Sequence, residues 1–324
     1  MFQFAACRHL ASAAICDHDA LFMESSMQQV TDATHTPATQ PATPAAESSV
    51  RRTVVLCIVI IIVALIGVFA SRFCVSPRGA VSPALLASTQ PALAIAAVLV
   101  AMIVALLIAL TLAKPINAVV SLFALGCAFA AYAMQTGTIS DFVFLGANMK
   151  LAAAETIVWG VFIMLAAIIT FRVGGALVDV PAHDRDGTFI GEIFHKRAIM
   201  SLLAGLAAIP VLIFTLVGAS KGQAIGACAI AGVITAVIGR MIAPRAQPIV
   251  LFAMPALVIG VAQLVLAFTG AAVSPDIAFV NGTLSPIRVP MPMDIAAGSL
   301  LGVAIGLGWS KGLVKHEPPS MHDE

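Results

Sequence analysis

Thr53-Val54-Val55-Leu56-Cys57-Ile58-Val59-Ile60-Ile61-Ile62-Val63-Ala64-Leu65-Ile66-Gly67-Val68-Phe69-Ala70 carries no charge from end to end. As an α-helix rising 1.5 Å per residue it reaches about 27 Å, close to the hydrocarbon thickness of a bilayer, roughly 30 Å. Arg51 and Arg52 precede it and Arg72 follows two residues after its end. An apolar rod flanked by cations is the pattern of a transmembrane helix.

The pattern repeats along the chain. Further apolar runs extend over Ala92 to Ala113, Ile116 to Gln135, Leu151 to Phe171, Ala198 to Ser220, Gly222 to Ala243, Pro248 to Gly270 and Ile295 to Trp309. The expectation is an all-α, polytopic transmembrane helix bundle of about eight helices over 51–315. A disordered amino-terminal tail, 1–50, precedes it and a short polar carboxyl-terminal tail, 316–324, follows. The Ser/Thr/Pro/Ala-rich composition around Thr34 to Pro41 cannot bury enough apolar surface to offset the entropy of ordering.

Bulk composition points the same way. Of 324 residues, 60% are hydrophobic and 10% charged, against about 25% charged in ordinary globular domains. Mean hydropathy is +1.03. A formal charge of +1 gives no reason to expect a nucleic-acid partner, which needs clustered base.

The placement of positive charge gives an orientation, because Lys and Arg accumulate in short cytoplasmic loops. With the amino terminus inside, the inner set is Arg8, Arg51, Arg52, Lys114, Arg172, Arg185, Lys196, Arg197, Arg240, Arg245, Lys311 and Lys315. Arg72, Arg78, Lys150, Lys221 and Arg288 form the outer set. This imbalance predicts both termini in the cytoplasm and an even number of crossings of a cell membrane, here a bacterial inner membrane. The lipid bilayer is the implied partner, with other membrane subunits or further copies of the chain alongside.

Two loops are long enough for structure of their own. The cytoplasmic loop Val173 to Arg197 carries Phe189, Ile190, Ile193 and Phe194 at helical spacing, as in a short interfacial helix. His183, Asp184, Asp186, Glu192 and His195 in the same loop match no defined metal-ligand spacing, so a solvated loop is expected. In the outer loop, Asn281-Gly282 between two apolar stretches predicts a hairpin turn. The six cysteines form no CxxC pair and read as free thiols.

Glu155 is the acidic residue well inside a predicted span, about 6 Å from its outer end. Intramembrane carboxylates are costly and mark ion-handling or polar-substrate sites. The alternative is an interfacial Glu paired with Lys150 or Lys221, which the predicted topology puts at the same end. Arg240 falls near the inner end of its span, where a long side chain reaches the headgroups. Gly298, Gly302, Gly306 and Ser310 recur every fourth residue, as do Cys228, Gly232 and Ala236. Such stripes let helices pack closely in lipid. Pro210 and Pro255 interrupt the fifth and seventh runs and predict kinks, or broken helices of the kind transporters use. Tyr132 and Trp309 are expected near the interfaces and Trp159 deeper. P-loop, GxSxG, HExxH and CxxCH sequences are absent from the chain, so no catalytic residue, cofactor or metal is expected.

Lys114-Pro115-Ile116-Asn117-Ala118, Leu145-Gly146-Ala147, Glu155-Thr156-Ile157-Val158-Trp159-Gly160 and Pro292-Met293-Asp294-Ile295-Ala296 resemble parts of subunit J, also called chain 6, of the respiratory NADH:quinone oxidoreductase. The resemblance around these pieces extends over about a quarter of the chain. Trp159 stands where that family generally has Tyr, and the family has fewer helices in a shorter chain. The resemblance implies a membrane helix near a proton path, with Glu155 in it. Two functional readings follow from the sequence: a structural or assembly subunit of a membrane complex, and a transporter or ion-coupling subunit using Glu155.

Overall fold

A computed structural model describes residues 45–146, 148–175, 202–244, 247–269 and 274–310, with side chains from Val50 onward. The chain divides into two units, 1–48 and 49–324. Of the first, only 45–48 are described, and the predicted tail otherwise lies outside the described residues, as do the interfacial helix at 189–194 and the polar cluster at 183–195.

The described residues are helical, with one isolated antiparallel bridge between Val75 and Val81. Five helices are long and apolar enough to cross a membrane. They are α1 (Ala45–Ser71, apolar from Val50), α2 (Pro91–Leu110), α5 (Met149–Gly174), α7 (Lys221–Ile242) and α10 (Pro292–Ser310). Three predicted runs hold shorter α-helices: α3 (Ala118–Ala133), α6 (Ala208–Thr215) and α8 (Met254–Thr269). Two of these are lengthened by 3-10 turns, Leu203–Ala207 ahead of α6 and Val250–Phe252 ahead of α8. A 3-10 turn rises about 2.0 Å per residue, so a few residues recover much of the missing length. Two short surface helices, α4 (Ile139–Phe144) and α9 (Pro275–Val280), complete the set.

Local chemistry sets several boundaries. Asn117 accepts from the N–H of Val119 at 3.1 Å and Asn148 from that of Lys150 at 2.9 Å, capping α3 and α5. Asp141 accepts from the Thr138 N–H at 2.8 Å in a capping box that opens α4. Pro91 and Pro292 begin α2 and α10, where a missing N–H leaves no bond unmade.

The predicted hairpin at Asn281-Gly282 is corrected. These residues end α9 instead: Gly282 has φ +67°, Thr283 N–H bonds to Ala278 O at 2.9 Å, and Gly282 N–H to Phe279 O at 3.1 Å. That pairing is a Schellman cap, which needs the same left-handed glycine as a tight hairpin.

Helix α10 is the central element, packed against α3, α5, α7 and α8, with 78% of its apolar window buried. Helices α1 and α2 lie at the other extreme, at 22% and 33%. A second apolar cluster gathers Ala84, Ile139, Phe142, Val143, Ala152 and Met291. Five of these lie in the connections after α1, after α3 and after α8, so those connections assemble over one end of the bundle.

Candidate functional site

Glu155 and Lys221, both singled out in the sequence, stand at that covered end. Glu155 stands in the second turn of α5, on the face that also presents Asn148, Leu151 and Ala152, and is only 6% exposed. Its Oε1 accepts from the Leu85 N–H at 3.1 Å and its Oε2 from the Leu86 N–H at 3.3 Å. These donors open the 3-10 turn Leu85–Ala87, in the segment joining α1 to α2. The residue at the head of that turn, Ala84, has no side-chain acceptor. Glu155 supplies the cap from 70 positions away. The Trp159 side chain, one helical turn on, lies near the carboxylate.

The expected pairing of Glu155 with Lys150 or Lys221 is corrected by this geometry. Lys150 is exposed and lies over the Phe268 ring, 4.3 Å from its centroid, a cation–π contact on another face of α5. Lys221 turns the other way, with Nζ 2.9 Å from Oδ1 of Asp294, and donates to the carbonyl of Gly137 at 2.9 Å. Backbone amides displaced lysine because the segment ahead of α2 folds onto the start of α5, closer than either ammonium.

The sequence singles out Asp294 only within the resembling stretch Pro292 to Ala296, not as a buried partner, and the last apolar run begins at Ile295. Asp294 lies in the first turn of α10, is 1% exposed, and accepts from the Met291 N–H at 3.0 Å as well as from Lys221. The signal was present in Pro292-Met293-Asp294, a proline followed by an acid in the opening turn. Gln263 was also missed. From α8 its Nε2 donates to Ile287 O at 2.9 Å and Pro290 O at 3.0 Å, and its Oε1 accepts from Thr156 at 3.1 Å. It thereby joins α5 and α8 to the connection leading into α10.

The small-residue stripes face one another. A Cβ on Gly232 would lie 3.1 Å from the Cα of Gly302, and one on Gly298 would meet Cys228 and Ala229. Gly302 would meet the carbonyl of Ala229, and Gly306 the backbone of Val233 at 2.6 Å. The four glycines thus bring α7 and α10 into backbone contact within one chain.

Pro210 and Pro255 both stand near the start of an α-helix. Pro210 is the third residue of α6 and Pro255 the second of α8, each just after a 3-10 turn. First-turn N–H groups have no intrahelical partner, so proline costs little there. Arg240 is 5% exposed and engaged within the protein, so it does not extend to the headgroups. Tyr132 is 1% exposed and Trp159 is buried, while Trp309 is exposed.

Cys74 and Tyr132 are both buried near Glu155, and the Cys74 thiol donates to the carbonyl of Ala70 at 3.8 Å. Burial pushes the Cys74 thiol above its ordinary range. The four described cysteines, Cys57, Cys74, Cys127 and Cys228, are free. Among the described residues no three His, Cys, Asp or Glu side chains are grouped to hold a metal. The polar side chains here cap, pair and cross-link.

Compared with protein-family models, curated proteins and solved structures, the chain matches none.

Proposed function

We propose that this chain is a non-catalytic structural or assembly subunit of a membrane complex. The observation that carries this reading is where the buried charges and amides go. Glu155 caps a turn, Lys221 joins Asp294 and Gly137, and Gln263 joins two carbonyls to Thr156. Each group spends its hydrogen-bonding capacity fastening one segment of the chain to another. Helix α1 supports the same reading: Ile58, Ile61, Leu65 and Phe69 are exposed, an apolar face for lipid or for the helix of a neighbouring subunit.

The proposal includes eight crossings of a cell membrane with both ends on the cytoplasmic side. Its support is the bias of Lys and Arg toward that side and the gathering of alternate connections at one end of the bundle. Tags at the two termini, probed from either face, test the orientation. Purification in mild detergent tests the function: partners should appear in fixed stoichiometry, and a monodisperse monomer by native mass spectrometry would defeat it.

A second reading is an ion-coupling or transport subunit, including a role like that of subunit J in the quinone oxidoreductase. It is favoured by one observation, the burial of Glu155 against amides with no cation paired to it among the described residues. Unchanged ion flux through reconstituted vesicles after Glu155→Gln would remove it.

A further inference from the structure

The segment 72–90 runs across the end of the bundle as a strap, and Glu155 holds its middle. On one side the strap is tied by Val81 O, which accepts from the Gly137 N–H at 3.1 Å, and by Arg78, which donates to Phe144 O at 2.6 Å. On the other side it enters α2. Between these points the Leu85–Ala87 turn leans on the Glu155 carboxylate. A groove of about 200 Å3 lies beside this attachment. Pro77, Ala84, Leu86 and Ala87 of the strap form one wall, with Phe142 and Leu151 opposite. Because Leu86 both lines the groove and donates to Glu155, any movement of the turn alters the groove and the approach to the carboxylate together.

We propose that Glu155 is a protonation-controlled latch for this strap. An ionised carboxylate offers an acceptor oxygen to each of the two amides, in charge-assisted bonds. A protonated one keeps a single good acceptor, while its O–H is a donor directed at a site that already supplies donors. The titratable groups facing Glu155 are the Cys74 thiol, at the root of the strap, and the Tyr132 hydroxyl at the end of α3. The strap's turn contributes only backbone amides, and α5 adds the Trp159 side chain. With no cation among them, the turn is held when Glu155 is charged and freed when it takes a proton. The groove then opens toward Glu155. This device goes beyond the structural role proposed above and would operate inside an assembly subunit as well as a transporter.

Hydrogen exchange on the full chain in lipid nanodiscs tests it, read as protection factors so that the intrinsic pH dependence of exchange cancels. In the native protein, Leu85 and Leu86 should lose about tenfold or more in protection between about pH 9 and about pH 5, while the α7 amides stay constant. Glu155→Gln should show the low protection throughout, since its amide nitrogen would oppose an N–H. Leu85→Pro provides a route that leaves the carboxylate in place. Ala84 is extended, with φ −138° and ψ 148°, which suits a following proline. This variant should weaken the pH response at Leu86, whereas Leu85→Ala, which loses the side chain and keeps the N–H, should retain it. Constant protection of Leu85 and Leu86 across the pH range in the native protein overturns the latch, whether or not any variant folds.

Discussion

Lys221 and Asp294 form an ion pair of 2.9 Å at the covered end of the bundle, with 11% and 2% of their side chains exposed. The pair ties the start of α7 to the start of α10, and Gly137 O, just past α3, shares the ammonium. Removing one partner leaves the other charge buried without compensation, at a cost of about 3–5 kcal/mol, whereas replacing both with apolar residues costs far less. Lys221→Met and Asp294→Leu should each lower the unfolding midpoint in detergent substantially. The double variant should recover most of the loss, giving a large coupling energy in a double-mutant cycle. Additive effects would show that the two groups do not interact.

The α7–α10 seam predicts a contrast between glycines. Gly302→Val places atoms against Ala229 O and against Ala229 Cα, the latter 2.9 Å from the new Cβ. Backbone cannot step aside as a side-chain tip can, so overpacking of about 1–3 kcal/mol or more is expected. Gly308→Ala meets nothing within 4 Å and should change the midpoint little. Comparable thermal stability for the two variants would contradict the packing described.

Gln263→Leu keeps much of the side-chain volume while leaving Ile287 O and Pro290 O without their donor. Buried acceptors stripped of a partner cost about 1–3 kcal/mol. The expected result is a lower unfolding midpoint with faster amide exchange across 284–291. Gln263→Glu should be destabilising too, because carboxylate oxygens would face those carbonyls. Exchange identical to the native protein in both variants would exclude the bridge.

Burial raises the Cys74 thiol, so little thiolate forms at neutral pH, and a maleimide reacts through the thiolate. The sign is definite: labelling accelerates as pH rises, from a starting point below that of an ordinary cysteine. In the folded protein at about pH 7.5, peptide mass spectrometry should find Cys74 unmodified, with modification appearing once the chain is denatured. Prompt labelling of the folded protein would show the sulfur to be accessible.

Much of the architecture can be read directly from the chain because lipid imposes a simple rule. A spanning segment must satisfy its own backbone, so each long apolar run becomes a helix. The glycine stripes were equally open to inspection, since spacing by four places residues on one face. Other features were hidden for identifiable reasons. The bond from Leu85 to Glu155 joins positions 70 residues apart and uses a main-chain donor, leaving no side-chain signature at Leu85. Asn281-Gly282 announced a left-handed glycine correctly, but a hairpin and a helix cap make the same demand, and tertiary context decided between them. Pro210 and Pro255 marked irregular backbone, while only the structure places the irregularity in the preceding 3-10 turns.

The deep enclosure of α10 bears on how the molecule is made. Its neighbours α3, α5 and α7 emerge from the ribosome before it, so their inward faces stay bare until it is made. Until that later rod arrives, Gly232 has no backbone to lie against and Lys221 no counter-charge. Folding therefore passes through an interval in which the bundle lacks its central rod, and the arrival of α10 brings that interval to a close.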